Sequence, residues 1–178
     1  MLDFVNRPVF RLLLVGIPAL ALQTTFLADA SVAGVVLQLM LCLVAAAGIS
    51  GGPERGAMAG FVLGLLFDLV LSSPLGLTAL VYGLVGFLAG YVFAFGTAHP
   101  WWLDSIVVAV ATAAATFVHP VVATWVGVDG WLSTRLLKVA GVLALANALL
   151  APLAVPLMRW ALAVKRRDRL APPRGLPL

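Results

Sequence analysis

Long apolar runs, broken by short polar or glycine- and proline-containing stretches, fill the chain almost from end to end. A membrane-spanning helix takes roughly 20 apolar residues. The pattern therefore predicts six helices, over about 9–27, 32–49, 53–71, 75–96, 104–125 and 136–158. Gly51-Gly52-Pro53-Glu54-Arg55 ends the second run, and Pro53 suits a helix start, where its missing N–H would be unpaired anyway. Ser72-Ser73-Pro74 is so short a break that the third and fourth helices must be antiparallel neighbours. A break at 97–103 carries His99, Pro100 and two tryptophans, and one at 126–134 carries Asp129 and Trp131. Pro152 and Pro156 predict kinks in the sixth helix. Ala28-Asp29-Ala30 looks like a small-x-small cleavage site. Five more apolar runs follow it, so an uncleaved first helix is the expectation. The chain thus divides into a six-helix unit over 1–164 and a basic, proline-rich tail over 165–178, KRRDRLAPPRGLPL, expected to be disordered.

One stretch has finer structure. GAMAGFVLGLLFDLVLSSPLGLTAL, residues 56–80, places Gly56, Gly60, Gly64 and Asp68 four apart, on one face of the third helix. Small residues in such a stripe let a second helix approach closely. The fourth helix, entered through Gly76, answers with Gly83, Gly86 and Gly90. The two predict a tight hairpin. Asp68 ends the stripe, and an intramembrane carboxylate demands hydration or a partner. His119, Arg135 and Lys138 are its candidate partners at similar depth. A structural anchor is the first reading of Asp68, and a proton or substrate site the second.

Composition narrows the class. Of 178 residues, 63% are hydrophobic and 10% charged, against roughly 25% charged in soluble domains. A mean hydropathy of +1.12 makes the chain an integral membrane protein. The pI near 10 comes from basic residues at helix ends, which point to topology, with anionic membrane lipid as a further partner, and not to nucleic acid. With both termini cytoplasmic, Arg7, Arg11, Arg55, Arg159, Lys165, Arg166, Arg167, Arg169 and Arg174 lie inside; only Arg135 and Lys138 lie outside. That asymmetry predicts the orientation, and the five tryptophans fall at helix ends, where amphipathic rings favour the interface.

Catalytic chemistry is not predicted. The sequence has no G-x-S-x-G, H-E-x-x-H or P-loop pattern. His119 stands alone, without the neighbours a metal site needs, and no cofactor is implied. Gln23, Thr24, Thr25, Gln38 and Asn147 could form an outward-facing polar cluster if their faces converge.

The segment GFVLGLLFDLVLSSPLGLTALVYGLVGFLAG, residues 60–90, resembles the MreD family of rod shape-determining membrane proteins. Gly60, Gly64, Asp68, Pro74, Leu75, Gly76, Ala79, Leu80, Gly86 and Gly90 carry the likeness. It implies a non-enzymatic partner of the elongation machinery in the bacterial inner membrane. Such a protein binds an MreC-like membrane protein and, through it, a peptidoglycan glycosyltransferase and transpeptidase. It also implies a fold like the substrate-binding subunits of energy-coupling-factor transporters. From that comes the alternative function, a small-molecule-binding transporter subunit. The A-x-x-x-A docking spacing of those subunits is missing among Ala19, Ala21 and Ala28, which counts against the alternative.

Overall fold

A computed structural model describes residues 8–29, 31–32, 35–70, 75–94, 100–125, 127 and 135–162. Pro74, its two preceding serines and the basic tail lie outside the described residues. The described residues form six helices and one small ribbon: α1 Pro8–Asp29, β1 Ser31–Val32, β2 Val35–Val36, α2 Leu39–Gly51, α3 Pro53–Val70, α4 Leu77–Ala94, α5 Trp101–Trp125 and α6 Arg135–Ala161. Three of the helices, α1, α5 and α6, are long and apolar enough to cross a membrane, and α2 and part of α4 form shorter apolar helices.

The second helix departs from its expected start. Residues from 32 onward read as the beginning of an apolar helix, but β1 and β2 pair antiparallel, Ser31 with Val36 and Val32 with Val35, and α2 begins only at Leu39. Val35 and Val36 are β-branched and suit a strand, which an apolarity-based reading cannot tell from helix. β2 packs between α1 and α6, with Val35 buried.

Shortened in this way, α2 is the axis of the molecule. Every residue from Met40 to Ser50 is buried, and α2 touches each of the other five helices. A helix that is apolar all round belongs in the middle of a bundle. Around it, α3 and α4 make the most closely packed pair and α5 with α6 the next. Two helix ends are fixed by side chain to backbone bonds into α6. Ser50 Oγ donates to the Val155 carbonyl at 3.0 Å, and Cys42 Sγ to the Asn147 carbonyl at 3.6 Å.

The contacts also define two ends. At one, Arg11 of α1 donates to the Trp160 carbonyl at 3.4 Å, and Arg159 pairs with Asp104 at the start of α5 at 3.7 Å. At the other, Gln23 in the second half of α1 and Asp68 in the last turn of α3 meet the starts of α2 and α4.

Candidate functional site

The glycines of α3 and α4 face one another with almost no space between the backbones. A Cβ added at Gly60 would lie 2.7 Å from the Tyr82 carbonyl carbon, and one at Gly64 would lie 2.5 Å from Ala79 Cα. Real side chains do not tolerate such distances. Gly56 and Gly86 are reciprocal, because a Cβ on either would run into the other's carbonyl oxygen. Gly90 fits in the same way against the backbone of Gly52 and Pro53. Gly83 is different: its Cβ would meet Ala57 O at an ordinary 3.5 Å.

The hairpin is also joined to the central helix. A Cβ at Gly56 would sit 2.6 Å from Gly48 Cα, and one at Gly48 would sit 2.8 Å from Gly90 N. Gly48 of α2, Gly56 of α3 and Gly86 of α4 therefore form one three-helix junction. Gly48 was not singled out in the sequence, because α2 is apolar on every side and its glycine belongs to no visible stripe. Backbones this close maximise dispersion contacts, which drive helix association where lipid is as apolar as the side chains.

Asp68 closes the junction at the far end. Only 1% of it is exposed, and its carboxylate accepts three backbone N–H groups from the start of α4. Gly76 donates to Oδ2 at 2.9 Å, Ala79 to Oδ2 at 3.2 Å and Thr78 to Oδ1 at 3.2 Å. The first N–H groups of a helix have no partner within it, and the positive end of its dipole favours a carboxylate. Asp68 thus caps α4 from the preceding helix. Gly76, the residue before α4, has φ +98°, a left-handed conformation that suits glycine; this turn presents its own N–H to Asp68 while its carbonyl accepts the Leu80 N–H at 2.9 Å.

The candidate side-chain partners of Asp68 are placed as follows. His119 is half-buried on α5. Arg135 and Lys138 are exposed on the first turn of α6. Tyr82, buried on α4, stacks on Phe67 with ring centroids 6.1 Å apart.

A second cap repeats this device. Gln23, in the second half of α1 and 5% exposed, accepts the Met40 N–H at 2.8 Å, in the first turn of α2. Nearby, Asn147 of α6 donates to Thr112 Oγ1 of α5 at 3.1 Å and to the Gln38 carbonyl at 3.3 Å. Of the five residues proposed as a polar cluster, Gln23, Gln38 and Asn147 converge on the start of α2. Thr24 and Thr25 bond back to carbonyls of their own helix. Asn147 is fully buried, and its Oδ1 finds no acceptor role among the described residues. Gln23→Leu removes the α2 cap, and thermal unfolding in detergent is expected to register a loss of about 1–2 kcal/mol.

Among the described residues, no three of His, Cys, Asp and Glu gather at metal-binding distance. The close backbone contacts fasten α2, α3 and α4 to one another. No curated protein and no solved structure matches the chain, so the likeness to energy-coupling-factor subunits gains no support from known folds. The family model described as rod shape-determining protein MreD matches residues 3–159. With that match covering α1 to α6, the chain belongs to the MreD family of rod shape-determining membrane proteins.

Proposed function

We propose that the protein is a non-enzymatic scaffold of the rod machinery that binds an MreC-like membrane protein. Through that partner it helps to organise the glycosyltransferase and transpeptidase that build side-wall peptidoglycan. In this reading the six-helix bundle sits in the bacterial inner membrane, with the short α2 at its centre, and both termini are cytoplasmic. The observation that carries it is the glycine junction of α2, α3 and α4 with its Asp68 cap, a rigid body suited to holding a partner in fixed geometry. The two ends support the orientation: Arg11, Arg55 and Arg159 start or end their helices on one side, as basic residues do on the cytoplasmic face. Gly56, Gly60, Gly64, Gly86 and Gly90 serve partner binding indirectly here, because their close contacts are made within the chain.

Co-purification from detergent extracts tests the proposal. The native chain is expected to retain an MreC-like protein stoichiometrically, and Gly60→Leu to lose it together with the fold. Retention of that partner by Gly60→Leu at native levels sinks the scaffold reading. So does a partner-free native chain that instead carries a bound small metabolite.

A further inference from the structure

We propose that the protein holds one anionic glycerophospholipid in an apolar groove between α1 and α6, with the lipid's phosphate at Arg11. The groove has a volume of about 430 Å³. Leu14, Pro18 and Leu22 of α1 form one wall, Leu153 and Leu157 of α6 the other, and Leu43 of α2 lies at its floor. Leu14, Leu22, Leu153 and Leu157 remain substantially exposed in the chain, so the groove opens toward the surrounding membrane. α1 leaves it open because its contacts with α2, α3 and α6 are the sparsest of any helix.

Length selects the occupant. From Arg11 to Leu22 the helix rises about 16 Å at 1.5 Å per residue. One leaflet of a bilayer hydrocarbon core is about 15 Å deep, half of ~30 Å. A partner's spanning helix would need a groove along the whole bundle, whereas an acyl chain needs one leaflet. The groove fits the acyl chain.

Charge selects the headgroup. Arg11 lies three and four residues before Leu14 and Val15, hence on the groove-facing side of α1. Its guanidinium sits 5.3 Å from the Trp160 ring centroid and donates to the Trp160 carbonyl. Trp160 follows Leu157 by one turn of α6, at the same end of the groove. A planar guanidinium oriented by an aromatic face suits a phosphodiester, and a tryptophan at that depth suits the headgroup boundary. Apolar groove, cation and interfacial ring line up in the order of a phospholipid's chain, phosphate and headgroup.

Native mass spectrometry of the full chain tests this, in micelles containing equimolar phosphatidylglycerol and phosphatidylcholine. The native chain is expected to keep one phosphatidylglycerol, preferred about fivefold over phosphatidylcholine, the factor that one cation near the surface supplies. Arg11→Gln should abolish the preference, while Arg55→Gln, an exposed cation at the same end, should preserve it. Leu157→Trp should cut retention of both lipids about tenfold, as blocking burial of two methylenes would. Leu153→Trp, at a more exposed wall position, should do the same and gives the reading if Leu157→Trp does not fold. Equal effects of Arg11→Gln and Arg55→Gln, undiminished retention in both tryptophan variants, a native chain free of phospholipid, or a second copy of the chain displacing lipid each overturns the proposal.

Discussion

Gly60→Leu is expected to leave no folded protein, and Gly60→Ala a protein destabilised by about 1–3 kcal/mol. Even the smallest side chain at Gly60 would collide with the Tyr82 backbone, which cannot rotate away as a long side chain could. Relief requires α3 and α4 to separate, and separation loosens every contact along the most closely packed helix pair. Inside a membrane nothing compensates, since lipid offers an exposed helix face as good an apolar environment as its partner does. Gly86→Ala should behave like Gly60→Ala, because its Cβ would strike the Gly56 carbonyl. Two glycines serve as internal controls. A Cβ at Gly141 meets nothing within 4 Å, so Gly141→Ala should be neutral or stabilising by up to ~1 kcal/mol through helix propensity. Gly83→Ala, at ordinary contact distance, should fall near the native protein. Thermal unfolding in detergent, read with size-exclusion behaviour, orders the series. Gly60→Ala proving as stable as Gly141→Ala would refute the close-packed junction.

That contrast also marks what could be read from residues alone. Spacing of four on a helix puts Gly56, Gly60, Gly64 and Asp68 on one face whatever the rest of the fold does, so the stripe was legible. Its third participant, Gly48, was not, because a single glycine in an all-apolar helix has no periodicity to betray its direction. The start of α2 was misplaced because apolarity over 32–38 is shared by helix and strand, and pairing of β1 with β2 is settled by their mutual register. Gln23, Gln38 and Asn147 were visible as polar residues in apolar helices, but their convergence depends on where α1 and α6 dock against α2. Side-chain cations at similar depth are the partners that residue types suggest for Asp68. Three of its bonds run to backbone N–H groups, which every residue carries and no residue type announces.

The two caps share a logic that links sequence to rigidity. Helices that end inside a crowded bundle leave donors where water is scarce, and an unpaired buried N–H is expensive. In this chain the preceding helix reaches over to satisfy them: α1 through Gln23 for α2, α3 through Asp68 for α4. Each bond also ties the exit of one helix to the entry of the next. Turn geometry and helix packing are thereby fixed together.

Replacing Asp68 separates this anchoring role from a chemical one. Asp68→Ala removes the acceptor for the Gly76, Thr78 and Ala79 N–H groups at once. A lost cap costs up to about 2 kcal/mol and a buried unsatisfied donor about 1–3 kcal/mol; since water can reach some of the freed donors, the expected loss is about 3 kcal/mol. Asp68→Asn keeps one acceptor oxygen. Placed where Oδ2 stands, it still serves Gly76 and Ala79, while the Thr78 bond and the attraction of charge to helix dipole are lost, about 1–2 kcal/mol together. Removing the exposed charges of α6 in Arg135→Gln/Lys138→Gln should cost less than either, since exposed pairs contribute about 0–1 kcal/mol. Thermal unfolding gives the order, and amide hydrogen exchange gives the location: Thr78 and Ala79 should both lose protection in Asp68→Ala, whereas in Asp68→Asn Ala79 should keep it and Thr78 should lose it. Partner retention should follow stability, with Asp68→Asn retaining most of it. If Asp68→Asn unfolds like the native chain yet loses function as fully as Asp68→Ala, the ionised carboxylate itself is what function needs. Asp68 would then be a charge-bearing site, and its cap of α4 incidental.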